Sequence, residues 1–221
     1  MGKVLSSRWT KVVLFLLGLT PAALLAWGYY RQDLTANPLE YITHKTGDWT
    51  IRFLLITLSV TPLRKLLNQP KLVRYRRMLG LFAFFYVSLH LMTWIWFDKF
   101  FNLPEMWKDV VKRRFITVGM AGFLMLAPLA LTSTAGWVRR LGFERWQRLH
   151  RLVYFAGLAG VIHYMWLVKS DERLPLMYGG ILTVLMAYRL AVWLRSPRRL
   201  AARGRAPNAP VTTPNTASLP D

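Results

Sequence analysis

The chain has 221 residues, of which 54% are hydrophobic and 14% aromatic, and its 30 Lys and Arg against 10 Asp and Glu give a net charge of +20. In a soluble protein this charge would suggest nucleic-acid binding, but here the basic residues are clustered between long apolar runs, as in membrane proteins. The lack of cysteine excludes disulfides, iron–sulfur clusters, zinc–thiolate sites and any thiol nucleophile. Redox chemistry would therefore require a bound cofactor held by histidine.

Six segments are predicted to be membrane-spanning helices, since such a helix needs about 20 mostly apolar residues. They are residues 12–30, 49–63, 78–97, 115–133, 149–168 and 174–194. The first follows three basic residues, as in a signal peptide, but tryptophan and tyrosines stand where a cleavage site is expected. We therefore interpret it as a retained span, and we expect an all-α bundle of six transmembrane helices over residues 1–195.

The charges between the spans predict the orientation of the chain. The N-terminus, the loops 64–77 and 134–151 and the tail after Trp193 are strongly basic, whereas the other three loops hold nearly as many acidic as basic residues. The positive-inside rule then places both termini in the cytoplasm. Residues 196–221, rich in Pro, Ala and Thr, are predicted to be a disordered tail. No glycine-rich phosphate loop is present, and the spans leave no room for a nucleotide-binding domain.

His90 and His163 lie well inside predicted spans, where an imidazole is costly unless it is compensated, whereas His150 stands at the cytoplasmic end of its span. His90 precedes the outer end of its span by seven residues and His163 by five, which puts them within roughly 3 Å of each other in depth. Two imidazoles at matched depth suit the two axial positions of one haem iron. The alternative is a pair of structural histidines, each bonded to a carbonyl or hydroxyl across a helix interface.

A second site is predicted near the cytoplasmic face. His150 precedes His163 by 13 residues, about 20 Å along a helix, which is too far for the same haem. The matching place on the third span holds Arg76, followed by Arg77. Arginine binds carboxylates and phosphates rather than iron, so a haem with one histidine ligand, a quinone pocket and a flavin phosphate site all stay open. The alternative for His150 is contact with lipid headgroups.

Other polar and aromatic residues receive smaller roles. His44, in the predicted outer loop 31–48, is expected to be solvated. Candidate groups for hydrogen bonds around the outer haem are Ser88, Thr93 and Tyr164. The tryptophans near the outer span ends are interpreted as an aromatic belt at the membrane surface; they are Trp94, Trp96, Trp107 and Trp166.

Four motifs carry a family resemblance: NPLEYITHKTGDW, TPLRKLL, RYRRMLGLFAFFYVSLH and RWQRLHRLVYFAGLAGVIHY. Together they resemble the MsrQ/YedZ family, the haem-binding membrane subunits of the periplasmic protein-methionine-sulfoxide reductase system, within the ferric-reductase-like transmembrane group. The resemblance covers nearly all of residues 10–195. It implies a b-type cytochrome of the bacterial inner membrane that is not an enzyme by itself. Such a subunit passes electrons from the quinone pool or a cytosolic flavin reductase to a periplasmic molybdopterin enzyme that repairs oxidised proteins, with FMN as a further cofactor.

Carried over by position, His90, His150 and His163 match the family's haem histidines, and Arg76 matches its inner-side arginine. The wider group often has two histidines on each of two helices, so an arginine in one of those places leaves one haem or two open. The soluble partner is expected to dock on the outer loops. Two other functions stay open: a self-contained ferric or cupric reductase, and a haem-free membrane anchor or small transporter.

Overall fold

The computed structural model describes residues 8–168 and 170–195, and this part of the chain is helical, without a β-strand. A 3-10 turn, Pro70–Leu72, precedes the third helix, and a π-helix, Thr93–Asp98, continues it. The expected all-α class is therefore confirmed. The α-helices are α1 Arg8–Tyr30, α2 Pro38–Leu66, α3 Val73–Met92, α4 Leu103–Lys112, α5 Arg114–Leu131, α6 Ala135–Leu141, α7 Phe143–Leu149, α8 Leu152–Leu167 and α9 Arg173–Leu194.

Four helical stretches of the described residues are long and apolar enough to cross a membrane. They are Arg8–Tyr30, Pro70–Asp98, Arg114–Leu131 and Arg173–Leu194. The other two predicted spans lie on α2, which carries charged residues, and on α8, whose 16 residues extend about 24 Å. A bilayer core is roughly 30 Å thick. The chain is thus a membrane protein with several apolar helices, while the count of six spans and the orientation stay predictions.

α2 begins eleven residues before the span predicted from its apolar run. The side chain of Asn37 accepts a hydrogen bond from the backbone N–H of Glu40 at 3.3 Å, and Pro38 occupies the first helical position. Both features favour a helix start. The prediction of an outer loop over 31–48 is therefore wrong for residues 38–48, because this capped start of a polar helical segment was not recognised.

Two other predicted loops contain helices. In 98–114, α4 begins after Asn102, whose side chain accepts from the backbone N–H of Glu105 at 3.3 Å. In 134–151, Gly142 separates α6 from α7 with a φ of +75°, a conformation that a residue with a Cβ rarely adopts. These short helices lie in the connections between the long helices and are not part of the predicted spans.

Helices α2 and α3 pack closely together, as do α5 and α8. In the first pair, Phe53 stacks on Phe82 and on Tyr86, with ring centroids 5.3 Å apart in both cases. The hydroxyl of Tyr86 donates to the carbonyl of Gly18 at 2.8 Å and accepts from the N–H of Ala22 at 3.1 Å. In an unbroken helix the N–H of Ala22 would donate to the carbonyl of Gly18, so the Tyr86 hydroxyl replaces that hydrogen bond in the turn of α1 that contains a proline. The same contacts attach α1 to the α2–α3 pair.

The chain divides into two compact units, Met1–Leu185 and Met186–Asp221. The first contains all the helices down to the middle of α9. Of the second, residues 186–195 are described, and they continue α9 to Leu194. The predicted tail, 196–221, lies outside the described residues.

Candidate cofactor site

The structure brings His90 of α3 and His163 of α8 together. Their ring centroids are 5.9 Å apart and the ring planes are nearly perpendicular, at 84°. Two imidazoles that bind one metal ion from opposite sides, with bonds of about 2.0–2.1 Å, have ring centres roughly 6 Å apart. The spacing of the two rings therefore fits a shared metal ion.

The protonation of both rings follows from their hydrogen bonds. Nδ1 of His90 lies 2.9 Å from the carbonyl oxygen of Thr43, and Nδ1 of His163 lies 2.7 Å from that of Phe115. A carbonyl oxygen only accepts, so each Nδ1 carries the proton and each Nε2 keeps its lone pair for a metal. Two structural histidines would make the same hydrogen bonds, so what distinguishes the metal-binding interpretation is the approach of the two rings.

A glycine one turn after each carbonyl makes room for the imidazole. A Cβ at Gly47 would lie 3.2 Å from Nδ1 of His90, and one at Gly119 would lie 2.7 Å from Nδ1 of His163. Each glycine follows its carbonyl, Thr43 or Phe115, by four residues. The pairs α2–α3 and α5–α8 thus use the same arrangement, and in each pair a glycine lets a histidine reach the backbone of the facing helix.

A cavity of about 470 Å³ lies between α2, α3, α5 and α8, and both histidines line it. This volume is within the range of small-molecule and cofactor sites. Most of the remaining lining is apolar and comprises Ile51, Leu54, Val87, Leu91, Ile116, Met120, Phe123, Leu126, Ala156 and Leu167, among others. Charged and polar side chains lie at the end formed by the starts of α2 and α5, namely Glu40, His44, Asp98 and Arg113. We call these four residues the polar end of the cavity.

Among the described residues, no group of three or more His, Cys, Asp or Glu is arranged to hold a metal ion. An iron porphyrin requires only two axial ligands from the protein, because its macrocycle supplies the other four. The paired imidazoles, their fixed tautomers and the apolar cavity around them therefore fit a haem.

Of the three candidate hydrogen-bonding groups, Thr93 and Tyr164 lie near the site. Thr93 is buried, and its hydroxyl donates to the backbone carbonyl of His90 at 2.7 Å. Tyr164 lines the cavity and lies close enough to Asp48 for the two side chains to interact. The hydroxyl of Ser88 instead donates to the carbonyl of Phe84 within α3 at 2.8 Å.

A buried carboxylate on the cavity wall was missed by the sequence prediction. Asp48 is only 8% exposed, and its Oδ2 lies 3.9 Å from the guanidinium of Arg52. Arg52 in turn donates through Nε to the hydroxyl of Tyr178 at 2.8 Å. The only signal in the sequence was the i,i+4 spacing of an acid and a base, which the assignment of residue 48 to a loop concealed.

The predicted inner site comprises His150, Arg76 and Arg77, and the structure gives these three residues different surroundings. His150 caps the C-terminal end of α7 and is half-buried. Its ring stacks on that of Trp146, with the ring centroids 3.9 Å apart, and its Nδ1 donates to the Trp146 carbonyl at 3.0 Å. Arg76, at the start of α3, is close enough for its charge to act on His150. Arg76 is thus within electrostatic range of His150, whereas Arg77 is exposed; a shared inner site stays a prediction.

Two other predictions concern the polar end. His44 is exposed, as expected, but it lies on α2 and lines the cavity. Trp94 also lines the cavity, and its Nε1 is buried. The assignment of Trp94 to a lipid-facing aromatic belt is therefore wrong, because this side chain follows His90 by one turn and faces the interior.

The known proteins that resemble this chain point to one family. Residues 46–161 match the family described as ferric reductase like transmembrane component. The protein-methionine-sulfoxide reductase heme-binding subunit MsrQ of Herminiimonas arsenicoxydans is 50% identical over 197 residues, 88% of this chain and 90% of that protein. The subunits of the same name from Caulobacter vibrioides and Bordetella pertussis are each 49% identical, covering 83% and 87% of this chain and 85% and 93% of their own lengths.

Identity at this level over most of both chains, together with a family match that runs from within α2 to within α8, agrees with the resemblance seen in the four sequence motifs. The chain belongs to the MsrQ family of protein-methionine-sulfoxide reductase heme-binding subunits, within the ferric-reductase-like transmembrane proteins.

Proposed function

We propose that this chain is a b-type cytochrome subunit of the bacterial inner membrane that passes electrons from the quinone pool to a periplasmic, molybdopterin-containing methionine sulfoxide reductase. The names of its relatives support haem binding and the reductase system. The observation that carries the proposal is the 5.9 Å approach of the His90 and His163 rings. With six spans and both termini in the cytoplasm, this pair would lie near the periplasmic face.

His90 and His163 would hold the haem iron through Nε2, and the carbonyls of Thr43 and Phe115 would keep both rings in that orientation. A haem with two histidine ligands supplies one-electron transfer and offers no open coordination position to a substrate. The apolar cavity lining would exclude water around it. The chain is accordingly an electron-transfer subunit, and reduction of methionine sulfoxide belongs to the partner.

Arg76 and His150 would bind the electron donor near the cytoplasmic face. The guanidinium of Arg76 would donate to one oxygen of a quinol, and Nε2 of His150 would accept from a quinol hydroxyl, because Nδ1 of that ring already donates to the Trp146 carbonyl. The guanidinium also suits the phosphate of FMN. We favour a quinol, because it reaches the site within the membrane and requires no nucleotide-binding domain. In this proposal one haem is bound, at His90 and His163, and His150 serves the donor rather than a second iron.

The test uses the purified protein in proteoliposomes. A quinol should reduce the haem, and adding the periplasmic catalytic subunit with a methionine sulfoxide peptide should reoxidise it. Arg76→Ala should slow reduction without changing the haem spectrum, whereas Arg139→Ala, at an exposed arginine of the 134–151 loop, should not.

Three results would contradict parts of this proposal. Reduction by reduced FMN but not by quinol would replace the donor. Reoxidation by a ferric chelate as fast as by the catalytic subunit would favour a self-contained ferric reductase, a function compatible with the family match. A protein purified without haem would favour a membrane anchor or transporter.

A further inference from the structure

An unpaired hydrogen-bond donor lies inside the cavity. Trp94 belongs to the π-helix Thr93–Asp98, one turn after His90, and lines the cavity. Its Nε1 is buried and has no hydrogen-bond partner among residues 8–168 and 170–195. The indole N–H only donates, and a buried donor without an acceptor is rare because it is costly. π-helical turns are frequent at functional sites, so a ligand with an acceptor oxygen is indicated here.

A guanidinium lies at the same cavity. Arg113 stands between α4 and α5, and its Nε is 3.4 Å from Oδ1 of Asp109. This contact uses one of the five N–H groups of the guanidinium. The other oxygen of Asp109 is 2.7 Å from Nζ of Lys99. Arg113 therefore shares its acidic neighbour with a lysine, which leaves part of its positive charge for a ligand in the cavity.

The two carboxylates at the polar end of the cavity already have partners. Oε2 of Glu40 accepts from the side-chain amide of Asn37 at 3.0 Å, and Oδ2 of Asp98 lies 3.4 Å from Nζ of Lys99. The opposite part of the cavity is lined by Leu54, Leu126 and Ala156. The cavity thus combines an apolar end with a polar end, where the N–H groups of Trp94 and Arg113 lie near two carboxylates that already have partners.

We infer that Trp94 and Arg113 form a carboxylate-binding site that fixes the orientation of the tetrapyrrole in its cavity. The inference rests on the proposed function. A b-type haem carries its two carboxylates on one edge and only apolar substituents on the other, so the two ends of the cavity distinguish its two edges. Arginine paired with a neutral N–H donor is a common arrangement for a carboxylate. Trp94 and Arg113 are positioning residues, since the iron itself is held by the histidines.

The test compares matched variants of the haem-loaded protein. Trp94→Phe removes the N–H and keeps a ring, and its control is Trp96→Phe, two residues further along the same π-helix and 58% exposed. Arg113→Gln removes the charge, and its control is Arg114→Gln at the adjacent arginine, which does not line the cavity. The measurements are the resonance Raman bands of the haem carboxylates and the rate of haem transfer to excess apomyoglobin.

Trp94→Phe and Arg113→Gln should each shift the carboxylate bands and speed haem loss about 5-fold, the factor expected for one lost hydrogen bond. The low-spin spectrum of the iron should not change, because both histidines are intact. In a protein reloaded with the haem dimethyl ester, the differences from the controls should disappear. The inference is overturned if either variant matches its control. A wild-type protein without haem contradicts the proposed function itself, whereas haem present in all variants with equal loss rates contradicts only this inference.

Discussion

The substitution Gly119→Ala tests how closely α5 must approach His163. A Cβ at this position would lie 2.7 Å from Nδ1 and 2.9 Å from Cε1 of the ring. Both distances are shorter than van der Waals contact, so the imidazole must move. Nδ1 is held by the carbonyl of Phe115 at 2.7 Å, one turn earlier on the same helix. Any movement therefore breaks that hydrogen bond or moves Nε2 away from the position in which we propose that it holds the haem iron.

The expected magnitude follows from these contacts. Overpacking a tight site costs about 1–3 kcal/mol, which corresponds to haem affinity weakened roughly 5- to 150-fold at about 1.4 kcal/mol per factor of ten. Metal–ligand distances tolerate changes of only about 0.2 Å, so the haem that stays bound should lose part of its six-coordinate, low-spin spectrum.

The control is Gly180→Ala in α9, at a glycine that does not line the cavity. There a Cβ would meet no heavy atom within 4 Å. Both substitutions raise helix propensity by the same amount, so that contribution cancels in the comparison. Haem titration of the apoprotein and absorption spectra of the loaded protein measure the two effects. If Gly119→Ala binds haem as tightly as Gly180→Ala, with the same low-spin spectrum, His163 does not hold the iron in the arrangement described.

Three further predictions follow from other contacts. Tyr86→Phe should lower the stability of the protein in detergent by about 1–3 kcal/mol, because the carbonyl of Gly18 loses its buried partner; an unchanged melting temperature would contradict the bridging role. Asp48→Asn should raise the midpoint potential of the bound haem by tens of millivolts, since a buried negative charge on the cavity wall favours ferric iron; a redox titration showing no change or a decrease would contradict it. The close contact with Asp109, 2.7 Å from Nζ, raises the pKa of Lys99 above its usual value, and Asp98 adds to this shift, so the stabilisation is present below about pH 10.5 and lost as the pH rises through the raised value; Asp109→Asn should weaken this alkaline dependence, and a pH profile like that of the wild type would contradict the pairing.

The helices and the histidine pair were predictable because they depend on local rules. Apolar runs of about 20 residues indicate the long helices wherever they lie in the chain. The fixed rise of an α-helix converts the positions of His90 and His163 into depths, and the structure places the two rings side by side. Their role as iron ligands stays a prediction until the metal is measured.

The surroundings of the pair were not predictable, because they belong to facing helices. The acceptors of both Nδ1 atoms are backbone carbonyls, which every residue possesses, so no residue type indicates them. Gly47, in a predicted loop, and Gly119, in a predicted span, gave no signal of their role until the facing imidazoles were known. Trp94 was assigned to the membrane surface because periodicity cannot distinguish a lipid-facing position from one that faces a cavity.

The start of α2 was assigned to the wrong kind of structure, a loop instead of a helix. Its polar first part lacks the apolar run of a span, and hydropathy alone placed the residues before Trp49 in a loop. The capping side chain of Asn37 and the proline after it extend the helix to residue 38. As a consequence Thr43, Gly47 and Asp48 lie on a rigid element that forms one wall of the cavity.

The most direct test of the histidine pair is the electron paramagnetic resonance spectrum of the ferric protein, recorded for the wild type and for His90→Ala, His163→Ala and His44→Ala. His44 lines the same cavity but is exposed and is not part of the pair, so it serves as the control. We predict one low-spin haem signal in the wild type and in His44→Ala, and its loss in both other variants. An unchanged low-spin signal in His90→Ala or in His163→Ala would contradict the shared iron.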